Sequence, residues 1–88
     1  MTHEEFNRVK SLDTAIRRGS AVLTAITHYK QNKDKQGIMV VLNHETRRTV
    51  IDIAFPEIEN EVLSLLEQRY NQLMSMWVDE LRRIRDGY

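Results

Sequence analysis

The stretch PEIENEVLSLLEQRYNQLMSMWVDELRRIRD runs from Pro56 to Asp86, and the rest of the chain is built to pack against it. It reads as one long amphipathic helix. Pro56 suits a first helical turn, where its fixed φ fits and its missing N–H is not needed. Glu57, Glu59 and Glu61 lie near the positive end of the helix dipole, Arg82, Arg83 and Arg85 near the negative end, and Gly87 offers a stop. Apolar residues recur at three-four spacing at Leu63, Leu66, Leu73, Trp77 and Ile84, with Tyr70 on the same line and one step skipped at Glu80. Met74, Leu81 and Tyr88 form a second row, and Ile58, Val62 and Leu65 widen the stripe near its start. A stripe this broad packs against more than one neighbour.

Working back, Ile38 to Phe55 has the pattern of a β-hairpin. IMVVL is a run rich in β-branched residues, TVIDIAF alternates, and the polar NHETRR lies between them. Placing Asn43 opposite Arg48 sets Val40 against Ile51 and Ile38 against Ile53. One face then carries Ile38, Val40, Leu42, Thr49, Ile51 and Ile53. The other is mixed, with Met39, Val41, Asn43, Arg48, Val50 and Asp52. A lone two-stranded ribbon is marginal in water, so the flanking helices are expected to cover its apolar face. The mixed face is left for another chain or a ligand.

The first helix is predicted from Thr2 to about Tyr29. Thr2 and Glu5 make a capping-box pattern. Val9, Leu12, Ile16, Leu23 and Ile26 recur at helical spacing, flanked by Phe6, Val22 and Tyr29, with Gly19 on the same line. Gly19 either kinks the helix or joins Ala15 in a shallow dent that admits a large side chain such as Trp77. The apolar period runs through the glycine in phase, which favours the dent. HYKQNKDKQG, residues 28–37, is the connection, and its basic residues Lys30, Lys33 and Lys35 suit a helix end. The fold class is therefore α+β: long helix, two-stranded antiparallel hairpin, long helix, in one domain over residues 1–88.

Eighty-eight residues bury a modest share of their surface. Two long helices with broad stripes cannot fully satisfy each other, so a homo-oligomer is expected, with Leu66, Leu73, Trp77 and Leu81 at the helical interface. Met74, Met76 and Trp77 read as filling for such a contact rather than as a cofactor site. Thirteen basic residues balance thirteen acidic ones, so no overall field draws nucleic acid or a membrane. Nucleic acid is disfavoured further by the absence of a recognition motif. No cysteine is present, no apolar run approaches membrane-spanning length, and MTHEEF is not a targeting segment. A cytoplasmic protein is the expectation.

His3, His28 and His44 fall in three different elements without metal-ligand spacing, so no metal or cofactor is expected. Glu57, Glu59 and Glu61 serve the helix start rather than acid–base chemistry. No nucleophile, metalloprotease or phosphate-loop motif occurs, and the chain reads as non-enzymatic. The basic residues are in part a solvated surface with local pairs such as Asp13 with Arg17. They also offer an anion site. Arg47, Arg48, Thr49 and His44 concentrate at the hairpin tip, HETRRT. Lys30 with Tyr29 and Arg69 beside Tyr70 add cations and rings that suit a phosphate and a base. In a symmetric assembly the tip would close over a ligand at a junction between chains.

The opening MTHEE, the short hairpin and the closing LLEQRYNQL…ELRRI resemble small helix–hairpin–helix proteins of phages and prophages. That resemblance implies a binding role in a bacterial cytoplasm. Some such proteins sequester nucleotide signals of bacterial immunity, such as cyclic dinucleotides or cyclic ADP-ribose species; others inhibit a host protein. The first reading makes the partner an anionic nucleotide. The second makes it a host protein held by the mixed hairpin face or an exposed helix stripe.

Overall fold

A computed structural model describes residues 2–32 and 37–87. Lys33, Lys35 and Tyr88 lie outside the described residues. The order is α1 (His3–Gln31), β1 (Ile38–Asn43), β2 (Arg48–Ile53) and α2 (Pro56–Asp86).

Helix α1 starts on the expected cap. The Glu5 backbone N–H donates to Thr2 Oγ1 at 3.1 Å, and the Glu5 carboxylate reaches back to the Thr2 amide. The helix runs unbroken through Gly19 and ends at Gln31, two residues past the expected Tyr29, where the Asn32 N–H donates to Tyr29 O at 3.2 Å. Helix α2 opens on Pro56, with the Glu59 N–H donating to Phe55 O at 3.0 Å. Gly87 N–H closes on Arg83 O at 3.1 Å with an ordinary right-handed φ of −73°. Gly37 is where a glycine is required, since its φ of 104° leads into β1.

The two helices pack antiparallel. Arg8 near one end of α1 grips Glu80 near the far end of α2, while Tyr29 and Lys30 at the other end of α1 meet Glu59 and Glu67. The core between them is thin: Leu12, Ile26 and Leu63 are the buried apolar side chains among the described residues, and Gly19 is buried with them. The charges divide by element. Helix α1 carries five Lys and Arg against three acids, and α2 seven acids against four Arg.

The ribbon has the anticipated register, with Ile38 opposite Ile53, Val40 opposite Ile51 and Asn43 opposite Arg48. Its tip is closed by His44 N–H to Arg47 O at 2.6 Å and Arg47 N–H to His44 O at 3.4 Å. The expected cover is missing. Val40, Leu42 and Ile51 on the apolar face are exposed, and only Ile38, Thr49 and Ile53 are half-buried. The reason is geometric. The helices pack mainly on each other, and the ribbon makes little contact with either; β2 leads into α2 through the two-residue joint Ala54–Phe55. Two packed helices are about 20 Å across, yet the molecule measures 50 × 35 × 17 Å, so the ribbon stands off to one side.

The shape leaves much surface open. The Cα radius of gyration is 16.9 Å, against about 12 Å for a compact chain of this length. The accessible surface is 7325 Å², against about 5,400 Å² for a folded monomer of this mass.

Candidate functional site

Two rows of α1 residues, each spaced by one turn, build the site. Lys10, Thr14 and Arg18 form one row; Ser11, Ala15 and Gly19 form the other. The second row shrinks toward its end and finishes without a side chain. This lets α2 come close. A methyl group built on Gly19 would lie 2.7 Å from Met74 Sδ and 3.3 Å from Trp77 Cζ3. The dent anticipated at Ala15 and Gly19 is therefore real, and it receives Met74 as well as Trp77.

Tyr70 and Trp77, two turns apart on α2, form the opposite wall of a groove of about 530 Å³. That volume lies within the range of small-ligand sites. The lining has two cations, Lys10 and Arg18, two hydroxyls, Ser11 and Thr14, and two aromatic rings, with no carboxylate. Arg18 makes no ion pair among the described residues; its neighbour Arg17 takes Asp13 at 3.1 Å. Lys10 Nζ sits 4.7 Å from the centre of the Phe6 ring, a contact that leaves its charge available. A basic, ring-walled cleft is chemically suited to an anion attached to a flat ring.

The anticipated ligand residues do not gather there. His44 and Arg47 bracket the hairpin tip, while Arg48 and Thr49 point to opposite faces of β2. Tyr29 is committed to α2: its hydroxyl donates to Glu59 Oε1. That bond, then burial and the carboxylate charge, raises its pKa above the usual tyrosine value. Lys30 is paired with Glu67, and Arg69 donates to Gln72 Oε1 at 3.3 Å on its own helix. Of the residues expected between chains, Trp77 contacts α1 of its own chain at Gly19, Leu73 and Leu81 are half-buried, and Leu66 is 37% exposed. His3, His28 and His44 are all exposed, and no group of three potential metal ligands occurs among the described residues. No helix among them is long and apolar enough to cross a membrane.

Sequence reasoning singled out Tyr70, Trp77, Ala15 and Gly19, counted Arg18 among the basic residues without placing it in the ligand site, and missed Lys10, Ser11 and Thr14. A signal was present. Lys10, Thr14 and Arg18 share one face beside the row that ends in glycine, so cations flank the thinnest part of the helix.

Comparison with protein-family models, curated proteins and solved structures finds no match to this chain.

Proposed function

We propose that this protein is a non-enzymatic binder of a small anionic molecule bearing a flat ring system, of the nucleotide class, and that the groove beside Gly19 is where it binds. One observation carries the reading: Lys10 and Arg18 face Tyr70 and Trp77 across a cleft with no acidic lining. The cations meet the anion and the rings hold the flat portion. Ser11 and Thr14 supply hydrogen bonds, and neither has a base beside it in the lining to make it a nucleophile. Holding the ligand without altering it is sequestration. With the resemblance to phage and prophage proteins, the reading extends to a sponge for a nucleotide immune signal in a bacterial cytoplasm, assembled from several copies.

Trp77 is the single tryptophan, so its fluorescence reports on the groove directly. Titration with mononucleotides, cyclic dinucleotides and cyclic ADP-ribose should give saturable quenching with one of them. Inorganic phosphate and adenosine alone should bind at least tenfold more weakly. Lys10→Ala with Arg18→Ala should abolish the signal, since each charge-assisted bond is worth a factor of about ten or more. A protein indifferent to every nucleotide that retains a host protein instead would replace this reading with that of an inhibitor or adaptor.

A further inference from the structure

We infer that a second copy of this chain docks along the free edge of β2, the two β2 strands pairing antiparallel about a two-fold axis through Val50.

His44 and Arg47 exchange both backbone hydrogen bonds. Bonded and non-bonded pairs alternate along an antiparallel ladder. Counting from the tip through the observed register, Thr49, Ile51 and Ile53 bond inward to β1. Arg48, Val50 and Asp52 therefore turn their N–H and C=O groups outward. An open row of this kind is a template for another strand.

The side chains on that row choose the partner. Pairing two β2 strands about Val50 sets Arg48 of each copy opposite Asp52 of the other, and Val50 against Val50. Moving the axis to Arg48 or Asp52 would oppose like charges. Moving it to Thr49 would set Arg48 against Val50 and Asp52 against Thr46, and moving it to Ile51 would set Asp52 against Val50 and Arg48 against Ala54, so neither charge would meet its opposite. The outer row of β1, Met39, Val41 and Asn43, has no such complementarity. One closed, self-complementary register is thus favoured, as a two-fold contact requires.

The exposed area agrees. The chain carries about 1,900 Å² more surface than a folded monomer of its mass should. That is the area per chain of an obligate homodimer. Part of the excess lies around the seam, where Val50 is 51% exposed, Met39 68% and Phe55, just past the end of β2, 62%. The seam is built from the ribbon and the groove from the helix pair, so either can fail without the other.

The chain has no cysteine, which makes cross-linking at a chosen site unambiguous. A bonded antiparallel pair holds its Cα atoms about 5.5 Å apart, within disulfide range. Val50→Cys should therefore form a dimer quantitatively under mild oxidation, and Val41→Cys should not. In sedimentation equilibrium the parent should weigh twice 10.4 kDa. Arg48→Asp and Asp52→Arg should each weaken the dimer at least tenfold, and the two together should restore it, which also shows that the ribbon still folds. A monomeric parent, cross-linking at Val41 in place of Val50, or a double variant no tighter than the singles would overturn the seam.

Discussion

Gly19 on α1 and Met74 on α2 are separated by a gap with no room for a methyl group: the missing Cβ would sit 2.7 Å from the thioether sulfur. Two effects of Gly19→Ala oppose each other. Alanine gains about 1 kcal/mol of helix propensity. Forcing a methyl against Met74 and the rigid Trp77 ring costs about 1–3 kcal/mol. The collision wins, so the variant should lose about 1 kcal/mol in urea unfolding. It should also bind ligand more weakly, because Trp77 is pushed into the groove. Adding Met74→Ala should recover part of the loss, which a purely additive pair would not do.

The tie between Tyr29 and Glu59 predicts behaviour at high pH. The neutral phenol donates this bond, and the folded-state pKa lies above the unfolded value of 10.0. The stabilisation is therefore complete below about pH 10 and is lost as pH rises through the folded pKa. Thermal melts of the parent should fall more steeply on the alkaline side than those of Tyr29→Phe. Parallel curves would show that the bond contributes nothing in solution.

At the other end of the helix pair the sign reverses. Arg8 holds Glu80 through two hydrogen bonds, at 3.0 and 2.7 Å, and these lower the Glu80 pKa below its usual value of 4.5. That contribution is present above pH 4.5 and disappears as pH falls through the folded pKa. Glu80→Gln should be modestly less stable at neutral pH and should lose less on acidification. The pair is solvent-exposed, so high salt should narrow the difference between variant and parent.

Thr2→Ala removes the acceptor that the Glu5 amide uses at 3.1 Å. The expected loss is about 1 kcal/mol. Exchange of the first-turn amides should accelerate while those around Leu12 stay protected.

Arg47→Ala separates the hairpin tip from the groove. Nucleotide binding read by Trp77 should survive it and should not survive Lys10→Ala with Arg18→Ala. The reverse result would return the ligand to the tip.

Much of this was legible because two periodicities carry it. The pattern from Ile38 to Ile53 set every pair of the ribbon, and the register observed is the one that the alternation requires. The in-phase stripe around Gly19 foretold a continuous helix and the approach of Trp77. What alternation does not encode is where a ribbon goes after it forms. Its departure depends on the joint Ala54–Phe55 and on how closely α1 and α2 seat, so the exposure of Val40, Leu42 and Ile51 was not foreseen. The groove was obscured for a different reason. Clustered arginines in HETRRT draw the eye, whereas Lys10 and Arg18 are eight residues apart and become neighbours of one cleft only after Tyr70 and Trp77 arrive from α2.

The division of charge between the helices has a kinetic consequence. A net-neutral chain here hides a basic α1 and an acidic α2, so the halves attract before any side chain has packed. That attraction acts over about a Debye length, roughly 10 Å at ordinary ionic strength and 3 Å at 1 M. It speeds the search that brings the two ends of the chain together, while the packed core around Leu12 and Leu63 sets how slowly they part. Salt should therefore slow refolding and leave unfolding nearly untouched.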